Sequence, residues 1–141
     1  TAAPPSMLLF DAPNREICTP KRARTNTPLQ ALALMNEVTY VEAARALAQR
    51  MMNEGGETVE SRLITGFRLA TARTPDAETL AVLKSGFERR RKEFTDNPEA
   101  ARALIMQGTS KPDPSLDAHE LAAYSATASI LLNLDRVVTK D

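Results

Sequence analysis

Three dipeptides constrain the fold most, because each joins a helix-capping residue to a proline: Thr27-Pro28, Thr74-Pro75 and Asn97-Pro98. Thr and Asn side chains accept hydrogen bonds from the free N–H groups at a helix start. Proline suits the first helical position, where its missing N–H costs no hydrogen bond. We therefore predict that a helix begins at each of these three sites.

The first of these sites carries an additional helix-start pattern. Gln30 stands three residues after Thr27 and completes a capping box, in which the two side chains bind each other's backbone N–H groups. Asn36 is predicted to end this helix or to cap the next one. Three apolar residues at helical spacing are predicted to form the inward face of the helix: Leu29, Leu32 and Ala33.

The rest of the chain also predicts helices. Gly55-Gly56 is expected to end a second helix, and Thr58 to begin a third. A helix that begins at Pro98 is expected to run to Gly108. Asp117 and Glu120 have the spacing of a capping box for the last helix.

No segment of the sequence has the alternation of apolar and polar residues that is typical of a strand. Aromatic residues make up only 4% of the chain and Trp is absent, so the core must consist of Leu, Ala, Val, Ile and Met. Strands favour more aromatic and β-branched residues than this composition offers. The sequence therefore predicts an all-α fold, an irregular helical bundle of five to six helices.

Residues 1–27 are predicted to form an extended N-terminal arm, followed by a single helical domain at residues 28–141. The arm holds four of the nine prolines and shows no helical period. Its apolar run at residues 7–10, MLLF, is expected to dock on the domain. The chain starts at Thr1, without Met or a signal-like apolar segment, and this favours a fragment or processed piece of a larger protein.

The charge balance argues against nucleic acid as a partner. The chain carries 18 Lys and Arg residues against 18 Asp and Glu residues, whereas proteins that bind nucleic-acid duplexes usually have a basic excess. One basic run, RRRK at residues 89–92, is predicted to be solvated, because consecutive helical residues point in different directions. No apolar run approaches the roughly 20 residues that a membrane-spanning helix needs.

Neither a metal site nor a catalytic site is predicted. Asp113, Asp117 and Glu120 surround His119, but acidic residues are expected at a helix start, and positions 117 and 119 diverge on a helix. Cys18 is the only cysteine, so it forms no intrachain disulfide, and no third group accompanies a Cys18–His119 pair. The haem motif C-x-x-C-H is absent. We therefore predict no catalytic residue, no metal ligand and no cofactor.

The strongest candidate for a binding site surrounds the first predicted helix start. Basic side chains beside a helix N-terminus can hold a carboxylate or phosphate, because the free N–H groups there favour anions. The same guanidinium and amide groups can instead bind carbonyls and fix the arm to the bundle. We favour this structural role, because no catalytic group accompanies the cluster. Its members are Arg22, Arg24, Asn26, Thr27, Gln30 and Asn36.

One segment, at residues 10–50, closely resembles a planctomycete-type C-terminal domain of unknown function, family fifteen-fifty-three. It reads FDAPNREICTPKRARTNTPLQALALMNEVTYVEAARALAQR, and its most specific part is at residues 24–36. Two further segments agree with the family, RLITGFRLATARTPDAETLAVL and ELAAYSATASILLNLDRVVTKD, so the resemblance covers nearly the whole chain. Two positions depart from the usual pattern: Glu37-Val38 replaces a frequent Asp-Pro, and Tyr124 replaces an expected Trp.

The resemblance implies a context rather than a reaction. Such domains look like the C-terminal part of large exported proteins that often carry a cytochrome-c-like domain upstream, which implies an extracytoplasmic location. We therefore expect a helical accessory or interaction domain whose partners are other domains of its parent. A homodimer is expected if the fragment exposes apolar surface that the parent covers. The alternative is part of an enzyme in which Arg24, Asn26 and Gln30 hold an anionic or carbohydrate substrate.

Overall fold

The structure, a computed structural model, describes residues 27–138, which form helices and no strand. This confirms the predicted all-α bundle. One helix more than predicted is present, because a single extra turn follows the last predicted helix. The predicted arm lies outside the described residues apart from Thr27, so its separation from the helical domain stays a prediction. The helices are α1 (Pro28–Asn36), α2 (Val38–Glu54), α3 (Val59–Thr71), α4 (Ala77–Asp96), α5 (Pro98–Ile105), α6 (Ala118–Leu132) and α7 (Asp135–Val138).

Helix α6 lies at the centre of the bundle, where it packs against α2, α4 and α5. Its alanines at positions 122, 123 and 128 are fully buried, although they lie on different sides of the helix. A helix that is apolar or small on all sides belongs in the interior of a protein. Because these side chains are short, the neighbouring helices can approach α6 closely from several directions.

The core joins apolar side chains from most of the helices. The ring of Phe87 in α4 packs against that of Tyr124 in α6, with the ring centroids 4.4 Å apart. In α3, Gly66 allows close contact with α2, because a Cβ atom at this position would lie 2.5 Å from the sulfur of Met51. The largest apolar residues of the buried core are Met51, Leu63, Phe67, Phe87, Leu121, Tyr124 and Leu131.

Most of the predicted helix ends are confirmed. The hydroxyl of Thr58 accepts a hydrogen bond from the N–H of Ser61 at 3.1 Å and begins α3. Asn97 begins α5 in the same way, with Pro98 in the first turn. At the other end of α2, Gly55 is the C-terminal cap, as its Gly-Gly pair predicts.

Two predicted boundaries are wrong. Helix α4 begins at Ala77 rather than at Pro75, and its cap is Asp76, whose carboxylate accepts from the N–H of Thr79 at 2.7 Å. A carboxylate also interacts favourably with the positive end of the helix dipole, which a threonine hydroxyl does far less. The hydrogen bond to Thr79 lowers the pKa of Asp76. Helix α5 ends at Ile105, before the predicted end at Gly108.

Candidate functional site

The start of α1 is fixed by the predicted capping box. The Thr27 hydroxyl accepts from the N–H of Gln30 at 3.3 Å, and the Gln30 side-chain oxygen accepts from the N–H of Thr27 at 3.0 Å. Both free N–H groups are thereby satisfied within the helix start. The side-chain carbonyl of Gln30 therefore takes part in the capping box, which supports the structural interpretation of this residue.

Asn36 lies at the opposite end of α1. Its side-chain N–H donates to the carbonyl of Leu32 at 2.8 Å, and the extended backbone of Glu37 separates α1 from α2. Nine helical steps of 1.5 Å place Asn36 about 13 Å along the axis from Thr27. The predicted cluster therefore does not converge on one point among the described residues.

Three members of the predicted cluster, Arg22, Arg24 and Asn26, lie outside the described residues. Their proposed bonds to the bundle, and the alternative binding of an anionic or carbohydrate substrate, both stay predictions. The structure does show the orientation of α1, the helix that follows Arg22, Arg24 and Asn26 in the chain.

The predicted inward face of α1 is wrong. The buried side chain is that of Gln30, which is only 2% exposed, whereas Leu29 and Leu32 point outward. The capping box uses the Gln30 side chain at the helix start, on the side of α1 that is buried. Only Ala33 of the three predicted inward residues is partly buried.

A continuous exposed surface results, which we call the α1 apolar face. Its members recur every three residues, so consecutive members are neighbours on the surface and the strip turns around α1 towards the start of α2. Helix α1 contains no charged residue, and it contacts α2 and α6 with its other side. The face consists of Leu29 (60% exposed), Leu32 (57%), Met35 (46%) and Val38 (51%), the first residue of α2.

A second polar feature, which the sequence analysis missed, connects α2 to the segment between α5 and α6. Arg45 is 2% exposed, and its guanidinium donates to the carbonyls of Ile105, Gln107 and Ser110, the last two at 2.6 and 2.8 Å. Its charge is paired with Glu42 at 3.5 Å. Both Nη groups therefore have partners inside the protein.

Glu42 binds the same segment from the neighbouring turn of α2. Its carboxylate accepts from the hydroxyl of Ser110 and from its N–H, the latter at 2.7 Å, and from the N–H of Thr109. These bonds, the Ser110 hydroxyl first, lower the pKa of Glu42. One turn beyond Arg45, the Gln49 side chain accepts from the N–H of Asp113 at 3.3 Å. Glu42, Arg45 and Gln49 are polar residues at helical spacing, and this pattern was the sequence signal from which the site could have been predicted.

The acidic residues around His119 take separate roles. Asp117 caps α6 by accepting from the N–H groups of His119 and Glu120, and the Glu120 carboxylate lies 3.5 Å from Arg62. The His119 Nδ1 atom lies 3.0 Å from the carbonyl oxygen of Phe94. No three His, Cys, Asp or Glu side chains between residues 27 and 138 come together as a metal site.

The basic run in α4 fans out around the helix, as predicted. Arg91 pairs with Glu88 at 2.8 Å and lies over the Phe87 ring, whereas Arg89 and Lys92 are exposed. The four cations therefore do not form one patch, but Arg90 is partly buried beside Arg89, so the prediction that the run is solvated is wrong for Arg90. None of the helices in the described part of the chain combines the length and hydropathy needed to cross a membrane.

Comparison with known proteins assigns a family. The family model PSD1, "Protein of unknown function (DUF1553)", matches residues 1–87, more than half of the chain. The match includes residues 10–50, where the resemblance is most extensive, whereas the resemblance of residues 120–141 stays a prediction. Neither curated proteins nor solved structures gave a match. The chain therefore belongs to the DUF1553 family of proteins of unknown function.

Proposed function

We propose that this chain is an accessory domain of a larger exported protein, and that its α1 apolar face binds another domain of that protein. The observation that carries the proposal is the face itself. It presents Leu29, Leu32, Met35 and Val38 to solvent at about half exposure each, the first three on a helix without charges and Val38 at the start of α2. Contiguous exposed apolar surface of this kind is typical of a contact that is missing its partner.

The size of the face favours a domain of the same polypeptide over a separate partner. Full burial of a large apolar side chain contributes about 1.5–3 kcal/mol, so covering four half-exposed ones contributes about 4 kcal/mol. Two separate molecules lose about that much or more in translational and rotational freedom when they associate. Domains of one chain avoid most of this loss, because the linker keeps them at high effective concentration.

The position of α1 in the chain supports the same partner. A domain upstream in the chain would join the bundle through residues 1–26, which lead into α1. The family resemblance adds the expectation of upstream domains in exported proteins. A small, uncharged face beside that connection suits an interdomain contact, which is commonly modest in area.

The proposal can be tested by thiol labelling at position 32. Leu32→Cys, in a Cys18→Ser background, is prepared both in this chain and in the longest polypeptide that its gene encodes. We expect maleimide to modify the longer protein at least about tenfold more slowly, because a covered thiol reacts only when the contact opens. Met106→Cys is the matched control, since Met106 is 63% exposed and lies outside α1.

Three results would overturn the proposal. Equal labelling of Leu32→Cys in both proteins would show that no parent domain covers the face. Slow labelling of the isolated chain that becomes faster on dilution would identify a second copy as the partner. A gene that encodes no domain beyond this chain would remove the proposed partner altogether. A slowing that affects Met106→Cys equally would reveal a general loss of access instead of a specific contact.

A further inference from the structure

A groove between α4 and α6 combines two arginines with apolar walls. It holds a cavity of about 480 Å³, which Arg89 and Arg90 line together with Val82, Leu83 and Ile130. No carboxylate is among the described residues that line this cavity. A second cavity of about 210 Å³ adjoins it, and Arg90 and Ile130 line both. Arg90 therefore stands between two mainly apolar spaces.

The Arg90 guanidinium has no anionic partner among the residues that the structure describes. It is partly buried, yet it forms no ion pair and no hydrogen bond with them. Burial, and after it the neighbouring charge of Arg89, lower the pKa of Arg90, whereas the charge of Glu93 acts in the opposite direction. Arg45 shows the contrast, because its buried guanidinium is satisfied by carbonyls and by Glu42. Partial burial of an unpaired cation costs free energy, which an anionic ligand would recover.

Gly86 leaves room for the Arg90 guanidinium. A Cβ atom at position 86 would lie 2.8 Å from an Nη atom of Arg90, so the guanidinium folds back over the glycine one turn earlier. Glycine inside a helix is about 1 kcal/mol less favourable than alanine, and here its missing side chain makes room for the charged group. Gly86 also lines the larger cavity, so the guanidinium is at the wall of that cavity.

We propose that this groove binds a single-chain amphiphilic carboxylate, of the fatty-acid class. The carboxylate would take a paired hydrogen bond from the fork of the Arg90 guanidinium, and the acyl chain would lie along Val82, Leu83 and Ile130. The cavity volume falls within the range of small-molecule sites, whose walls are mostly apolar with a few polar groups that orient the ligand. Met35 of the α1 apolar face lines the second cavity together with Arg90. The acyl chain is placed in the larger cavity instead, and no member of the α1 apolar face lines that cavity.

The contributions of the two ends of such a ligand to binding can be separated with three probes: octanoate, 1-octanol and acetate. The chain is titrated with each while NMR follows the Nε–H signal of Arg90, assigned by its loss in Arg90→Gln. We expect octanoate to bind at least about tenfold more tightly than either other probe, because only octanoate satisfies the guanidinium and the apolar wall together. Equal affinity for acetate, or for 1-octanol, would overturn the proposal.

Two variants and one control complete the test. Binding to the variants is measured by calorimetry, because Arg90→Gln lacks the NMR signal. Arg90→Gln should weaken octanoate binding about tenfold or more, as should Val82→Glu, which places a negative charge beside the ligand. Val82 is 67% exposed, so Val82→Glu keeps the test valid if Arg90→Gln fails to fold. Arg102→Gln, at an exposed position of α5, should bind octanoate as the wild type does. Unchanged binding in both Arg90→Gln and Val82→Glu would place octanoate elsewhere and refute the inference.

Discussion

Arg45 supports the sharpest prediction about stability. Arg45→Met keeps much of the apolar side chain but removes the donors that serve the carbonyls of Ile105, Gln107 and Ser110. Hydrogen bonds that involve a charged group contribute about 1.5–3 kcal/mol each. Gln107 and Ser110 are exposed residues, so their carbonyls regain water when the guanidinium is removed. Allowing for this, we expect a loss of about 3–4 kcal/mol in the free energy of unfolding.

The loss should appear in both denaturant and thermal unfolding. Urea titrations followed by circular dichroism give the free energy directly, and a change of this size lowers the melting temperature of such a domain by about 12–16 °C. Arg50→Met is the control in the same helix. Its ion pair with Glu54 is exposed, with 54% of the Arg50 side chain accessible, so its removal should cost about 0.5 kcal/mol or less. If Arg45→Met cost no more than about 1 kcal/mol, the carbonyl contacts would not stabilise the fold as argued.

Two further predictions concern Glu42 and Thr27. Because Ser110 lowers the pKa of Glu42 in the folded state, this carboxylate stabilises the fold at neutral pH, and that contribution disappears as the pH falls below the ordinary value of 4.5. Urea midpoints measured at acidic pH should therefore fall less steeply in Glu42→Gln than in the wild type, and parallel curves would contradict the assignment. Thr27→Ala removes the capping hydroxyl of α1 and should cost about 1 kcal/mol. Hydrogen exchange should accelerate in α1 but not in α3, whose Thr58 cap is intact; equal acceleration in both helices would count against a local effect.

Features that depend on neighbouring residues were predictable from the sequence. The capping box at Thr27 and Gln30 and the start at Asn97-Pro98 involve atoms only a few positions apart, so the sequence contains the whole interaction. Asp76 was missed because the preceding Thr74-Pro75 pair matches the same local pattern, although the carboxylate provides the better cap.

Features that depend on distant contacts were not predictable in the same way. Arg45 finds its partners about 60 positions away, and nothing within one turn of α2 indicates that those carbonyls lie beside it. The orientation of α1 was mispredicted because leucine periodicity alone assigns Leu29 and Leu32 to the interior. Most of the nine residues of α1 are apolar, so periodicity does not single out one face, and the structure buries Gln30 instead.

The order of helices along the chain bears on how the protein folds. Helix α6 makes the most extensive contact with α2, yet α3, α4 and α5 lie between the two helices in the sequence. The entropy cost of closing such a long loop comes before the gain from its contacts and slows folding. A nascent chain that ends before Ala118 therefore exposes the surface of α2 that α6 covers in the folded domain.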